Sequence, residues 1–182
     1  MTPLAGDLGM TWDTPSGGIT GYSVRASELV TAADDRGTWP YDGNRPGTGP
    51  FEDYDYNILG KTGEVEVGLA AYNTFEMLRF IGLSGDRSLL PFAENSLAFM
   101  KQFRVPRAAQ VWEVPVHTPD ILASSDAVEA YILGYELTGK QDYLDEARYW
   151  ARTGLPFLYT WHEQDQRSEE RRVGKECRSR GS

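Results

Sequence analysis

TPDILASSDAVEAYILGYELTGKQDYLDEARYWAR, residues Thr118 to Arg152, reads as two helices and the turn between them. Thr118 is placed to cap the first helix and Pro119 to occupy its first position, where a missing N–H does no harm. The apolar run continues to Leu137 and stops at Thr138-Gly139-Lys140, a glycine terminator followed by a base. Asp142 then caps a second helix reaching about Arg152. Tyr143, Leu144, Ala147, Trp150 and Ala151 form one apolar stripe, with Asp145, Glu146, Arg148 and Arg152 on the other side. That helix is amphipathic and belongs on the outside.

Fifty-four residues upstream the same pattern is written once before. Leu83, Ser84, Gly85, Leu90 and Ala93 superpose on Leu137, Thr138, Gly139, Leu144 and Ala147. Ahead of Gly85, after Thr62, Val65, Leu69, Tyr72, Phe75, Leu78 and Ile81 recur at three- and four-residue steps. Val67, Ala70, Ala71 and Met77 widen that stripe until the helix is apolar nearly all round, which predicts burial on most sides. Behind Gly85, Ser88 is the expected cap of an outer helix with Pro91 in its first turn. The fold class is therefore all-α, built from repeated antiparallel α-hairpins with one buried and one half-exposed helix each. Within each hairpin the turn is short. The connection between hairpins, about Arg104 to Thr118, is long, and so is the segment ahead of the first. Stacked side by side, such hairpins place every long loop on one rim, where sites are built.

The flanks differ from this middle. The first sixty residues hold ten of the glycines and five of the prolines, which punctuate helices. Apart from a helical patch around Val24 to Ala33, this segment is expected to be irregular, anchored by Trp12, Tyr22, Trp39, Tyr41 and Phe51. At the other end, Arg167 to Ser182 contains six of the 18 Lys and Arg, three of the 27 Asp and Glu, and Cys177, the only cysteine. The body therefore carries 12 bases against 24 acids. The expected organisation is a loop-rich segment (1–62), two hairpins (63–161) and a disordered tail (162–182).

Composition excludes several classes. A body this acidic is a poor partner for nucleic acid, which needs clustered Lys and Arg. No run reaches the ~20 apolar residues of a membrane-spanning helix. One cysteine makes no internal disulfide. No metal cluster, nucleophile elbow or phosphate loop is present, so no metal and no cofactor is expected. Asp53, Asp55, Asn57 and Glu64 fall on calcium-loop positions, but Ile58 stands where such a loop requires glycine, and a solvated acidic loop is the better reading.

Two hairpins with a period in the fifties, apolar inner helices and a Leu-Thr-Gly-Lys turn resemble the α/α-toroid proteins, specifically the six-hairpin glycosidase-like superfamily. The resemblance covers roughly Glu64 to Trp161. It implies a partial (α/α)6 toroid, with part of a third hairpin around Leu155 to Trp161. It also implies a glycoside hydrolase or polysaccharide lyase whose cleft lies on the N-terminal rim of the inner helices, with a polysaccharide or oligosaccharide as substrate. Gly37-Thr38-Trp39-Pro40-Tyr41 is similar to loops that line sugar clefts in such proteins, making Trp39 and Tyr41 candidate substrate-binding residues. It is also similar to terpene-cyclase and prenyltransferase loops, though no aspartate-rich diphosphate motif accompanies it. A non-catalytic helical-repeat binding module is the remaining alternative. Residues 167–180, RSEERRVGKECRSR, resemble an in-frame translation of a sequencing-library adapter. The expectation from that likeness is a truncated fragment, inactive on its own. Compartment and oligomeric state stay open; an extracellular or periplasmic setting fits if a signal preceded Met1.

Within this frame the richest stretch is Gln110 to Asp120. Trp112 offers a flat apolar face to a pyranose. Glu113 and Asp120 are candidate acid and base, and His117 is a candidate base toward a uronic acid. The plainer reading makes Trp112 a loop anchor, Asp120 a helix-terminal charge and His117 a satisfied polar residue. Asp126 and Glu129, three apart on an inner helix, must be paired or face an opening. Arg107, with Arg104, is a candidate for holding a substrate carboxylate, or for pairing with loop acids.

Overall fold

Helix is the regular structure of this chain. The computed structural model describes residues 28–34, 36–47 and 51–159. Among them there is no strand, only an isolated antiparallel bridge between Arg107 and Pro119. Four long helices follow one another: α1 (Val67–Ser84), α2 (Leu90–Met100), α3 (Ile121–Thr138) and α4 (Gln141–Tyr159). The protein is all-α. None of the described helices is long and apolar enough to cross a membrane.

The turns α1–α2 and α3–α4 are built from the same parts. Gly85 and Gly139 end their helices in the left-handed region, at φ 73° and 72°, each donating its amide to the carbonyl four residues back. Glycine serves there because a Cβ penalises that conformation. One residue earlier, Ser84 and Thr138 donate their hydroxyls to Phe80 and Gly134 carbonyls at 2.7 and 2.6 Å. The same oxygens accept the amides of Asp86 and Lys140.

Helix α3 packs on both α1 and α4, and α2 lies against α1. Small residues permit the close approach. A Cβ on Gly134 would sit 2.7 Å from Leu97 Cδ1, and Ala70, Ala71, Ala123, Ala127 and Ala130 are all buried. Met77, Leu78, Ile81, Leu97, Met100, Tyr131 and Trp150 fill the interior. Three buried hydroxyl groups between the helices are paired, as burial favours: Thr74 with Ser96 at 2.6 Å, Tyr131 with the Leu97 carbonyl at 2.8 Å, and Ser124 with the Trp150 carbonyl at 2.6 Å.

Helices α1 and α3 run in the same direction. At their C-terminal ends Arg87 reaches the Leu137 carbonyl at 2.7 Å. At their N-terminal ends residues 106–120 form a strap across both. Gly68 donates its amide to Arg107 at 2.9 Å, and Asp120 donates to Pro106 at 3.0 Å. The segment ahead of α1 folds onto the strap. Val116 donates to Leu59, Tyr41 is bonded to Glu64 and Gly63, and Arg45 donates to the Val111 carbonyl at 2.6 Å. Tyr41, Tyr56, Leu59, Ala108, Val111 and Val116 make a second apolar cluster there. The two long connections thus meet at one end of the helices, with the tight turns at the other.

Several boundaries differ from the sequence reading. Thr118 and Pro119 stay outside α3, because Asp120 takes the cap, accepting the Ala123 amide at 2.7 Å, while Pro119 is drawn into the bridge with Arg107. Leu89 rather than Ser88 precedes α2. Asp142 lies inside the first turn of α4, pairing with Lys101 rather than capping. That helix runs past Arg152 through Pro156 to Tyr159, so Leu155 to Tyr159 continues α4 and opens no new element. Thr160 and Trp161 lie outside the described residues, as do Trp12, Tyr22 and the whole 162–182 tail. The helical patch is present over 28–32; residues 24–27 fall outside. Residues 36–47 and 51–66 are mainly turns and loops, with the single-turn 3-10 helix Tyr56–Ile58 among them. Trp39 and Tyr41 anchor them, but Phe51, at 53% exposure, does not. Helix α1 is covered on most sides, with only Tyr72, Leu83 and Ser84 exposed, whereas α3 leaves Ile121, Leu122 and Ile132 exposed.

Candidate functional site

Between the N-terminal halves of α1 and α3, under the strap, lies an open cavity of about 480 Å³. Helix α1 presents Leu69, Tyr72 and Asn73, which share a face at i, i+3 and i+4. Helix α3 presents Leu122 and Asp126 at i, i+4, and the strap adds Val111 and Trp112. Gly68 makes this possible. Any Cβ there would fall 2.4 Å from the Ala109 nitrogen and 2.5 Å from the Arg107 oxygen, so a side chain would lift the strap off the helix. Two aromatic rings stand at the opening, Trp112 at 47% and Tyr72 at 46% exposure. Arg45 lines the same cavity, its guanidinium stacked 4.1 Å from the centre of the Tyr56 ring.

Two buried aspartates six residues apart have opposite situations. Asp120 has both oxygens occupied, Oδ1 by the Ala123 amide at 2.7 Å and Oδ2 by the Ala109 amide at 3.1 Å. It caps α3 and fastens the strap, and it is not among the residues that line the cavity. Asp126, 8% exposed, faces the cavity with no hydrogen-bond partner among the described residues. Burial, reinforced by the negative charges of Glu129 and Asp120, pushes its pKa up to about 7. A carboxyl group in that range carries its proton part of the time at neutral pH, as a general acid requires.

The other candidates divide between structure and solvent. His117 sits on the far end of the strap, Nδ1 3.2 Å from Glu66 Oε1 and Nε2 3.3 Å from Glu64 Oε1. Arg107 pairs with Glu66 at 3.6 Å, and Arg104 pairs with Glu146 at 3.1 Å and stacks on Tyr149. Glu113 is exposed beside Trp112 and meets Gln110 at 3.1 Å. Trp39 is buried in the helical core, edge-on to Phe92, its N–H donated to the Leu29 carbonyl at 3.0 Å. Tyr41 is buried in the rim cluster, its hydroxyl donated to the Tyr56 carbonyl at 2.6 Å. Trp39 and Tyr41 therefore hold the loop down and present no ring to the cavity. Among the named candidates the fold brings Trp112 and Asp126 to one opening; Glu113 follows Trp112 in the strap and is not among the lining residues.

Sequence reasoning passed over Tyr72, Arg45 and Glu66. Tyr72 belongs to the apolar helical stripe and gave no sign of facing an opening. Arg45 lies in a Pro- and Gly-rich loop, 66 residues from the carbonyl it grips. Glu66 stands immediately ahead of a helix, where an acid is ordinary. No family model, curated protein or solved structure matches this chain.

Proposed function

We propose that the rim over the N-termini of α1 and α3 is part of the saccharide cleft of a carbohydrate-active enzyme, a glycoside hydrolase or polysaccharide lyase. In this reading the two helix pairs are neighbouring hairpins of an α/α toroid, and the equivalence of the Gly85 and Gly139 turns supports it. The observation that carries the functional reading is Asp126, a buried carboxyl with a raised pKa at the wall of an open cavity whose mouth holds Trp112 and Tyr72. Flat aromatic faces suit the C–H face of a sugar ring, while a carboxyl titrating near 7 suits proton delivery to a glycosidic oxygen. Glu113 and Glu129 are the nearby carboxylates available for the complementary role. Arg45 supplies positive charge for an acidic sugar.

The test begins with binding. Titration of the chain with neutral and uronate-containing oligosaccharides, followed by NMR, should shift resonances of Tyr72, Trp112 and Leu122. Trp112→Ala should weaken that binding about tenfold, the worth of ~1.4 kcal/mol. Asp126→Asn should preserve binding and abolish any release of reducing ends or unsaturated uronates. Absence of binding across the panel removes the saccharide reading, and turnover that is measurable in the wild type and undiminished in Asp126→Asn removes Asp126 from the chemistry. The exposed Leu122, Ile132 and Leu83 favour one second reading, a helical-repeat module that docks a protein partner. Partner capture that survives Trp112→Ala and fails in Ile132→Asp would select it.

A further inference from the structure

The strap that roofs the cavity is fastened in two chemically different ways. Its base is closed by two amide-to-carbonyl bonds that do not titrate, Asp120 to Pro106 and Gly68 to Arg107, and by the Ala109 amide on the Asp120 carboxylate. Its far end is held by the Val116 amide on the Leu59 carbonyl at 2.8 Å and by His117. The imidazole is unusual in that both ring nitrogens face carboxylates, Glu66 on one side and Glu64 on the other. An ionised carboxylate only accepts, so each contact needs an N–H. A neutral imidazole has one, and only the imidazolium has two. Deprotonation therefore sets a nitrogen lone pair against a carboxylate oxygen and leaves two neighbouring acids less compensated.

We infer that His117 is a proton-operated latch: charged, it pins the strap to the approach to α1, and on losing its proton it frees the end of the segment that carries Val111 and Trp112 over the cavity. The charges around it are accounted for from each neighbouring element. Glu64 and Lys61 come from the segment ahead of α1, with the Lys61 amide on Glu64 at 2.9 Å. Glu66 immediately precedes α1 without its side chain bonding the free amides there, Arg107 of the strap pairs with Glu66, and Asp120 is turned toward the Ala123 and Ala109 amides. Hydrogen bonding to Glu66 and then Glu64 raises the pKa of His117 above its ordinary 6.5. The Lys61 amide, followed by His117, lowers that of Glu64 below 4.5. The raised histidine contributes fully below pH 6.5 and its contribution is lost as pH rises through the folded-state value. The lowered glutamate contributes above pH 4.5 and is lost as pH falls through its own folded-state value. The latch is closed between those limits and opens on the alkaline side. This holds whatever ligand the cavity takes.

Hydrogen exchange on the full chain reads the latch directly, with rates corrected for the intrinsic pH dependence. Between about pH 5.5 and about pH 8, protection of the Val116 and Thr118 amides should fall about threefold or more, while that of the α3 core stays level. His117→Gln should be weakly protected at both values. His117→Lys, which keeps its charge over this range, should be protected at both. Strap protection that is constant with pH in the wild type, or an unchanged pH dependence in His117→Gln, overturns the proposal. Should the variants fail to fold, an NMR titration of His117 in the wild type decides. A midpoint above 6.5, with both ring nitrogens protonated below it, supports the latch, and a midpoint at or below 6.5 overturns it.

Discussion

The two ends of the α1–α3 pair are held by different physics. At the turn end each turn is shaped locally, by a left-handed glycine, a hydroxyl bonded one turn back and an amide bonded to that hydroxyl, once at Gly85 and again at Gly139. Arg87 on the Leu137 carbonyl and Lys140 on Glu94 tie the hairpins to each other there. At the rim end the shaping contacts span the sequence. Arg45 grips Val111, His117 meets Glu64 and Glu66, and Gly68 receives the strap. Local contacts make a rigid hairpin and leave little room for chemistry. Contacts distant in sequence enclose a cavity, bury a carboxyl without a partner and tie a roof down with titratable groups. Locally determined turns stand at one end and contacts distant in sequence at the other, a division that substitutions can test.

The largest effect should come from Gly68→Val. Its first carbon alone would meet three strap backbone atoms within 2.6 Å, and backbone does not give way as a flexible side chain does. Overpacking of this kind costs about 3 kcal/mol. Urea denaturation should show that loss, together with a loosened strap. Stability within about 1 kcal/mol of wild type would mean that the strap does not press on α1 as described.

Next in size is an effect of opposite sign. Folding raises the pKa of Asp126 from 3.8 to about 7, so the folded chain holds a proton that the unfolded chain releases. Stability should therefore fall as pH rises from about 4 to about 7 and then level off. Asp126→Asn keeps the shape and removes the titration. It should match wild type near pH 4 and exceed it by on the order of 2 kcal/mol near pH 8. A stabilising substitution at the cavity wall is what a site held in an unfavourable state for function predicts. Equal pH profiles for wild type and Asp126→Asn would mean that the carboxyl is not desolvated there.

The same division explains what could be read in advance. Leu83-Ser84-Gly85 and Leu137-Thr138-Gly139 disclose the turns because cap, terminator and stripe all lie within one or two helical turns of each other. The helical class and the placing of both long connections at one end follow from them. The rim resisted. Thr118, followed by Pro119, has the local look of a cap, but the bond from the Asp120 amide to Pro106 and the bridge between Pro119 and Arg107 hold both outside the helix and leave the cap to Asp120. The loop Gly37 to Tyr41 resembles those that line sugar clefts, yet the N–H of Trp39 and the O–H of Tyr41 are taken by the Leu29 and Tyr56 carbonyls. Burial of that sort depends on packing partners that no local pattern announces. Asp126 was legible as a carboxylate needing a partner or an opening, but not which of the two, since that depends on the strap's height above the helix.

The smallest effect belongs to the turns, and it tests their equivalence most finely. A Cβ added at Gly85 or at Gly139 meets nothing within 4 Å, so the substitution to alanine is opposed only by the left-handed backbone, at φ 73° and 72°. That conformation costs an L-residue roughly 1–2 kcal/mol, partly offset by the lower entropy of the unfolded alanine chain. Gly85→Ala and Gly139→Ala should each lose about 1 kcal/mol, equally. Neither should move the His117 titration or the exchange of the strap amides, which lie at the other end of the helices. A difference between the two variants of more than about 0.5 kcal/mol would show that the turns are alike in outline only. A response of the strap to either would couple the two ends, so that rim chemistry could be tuned from the turns.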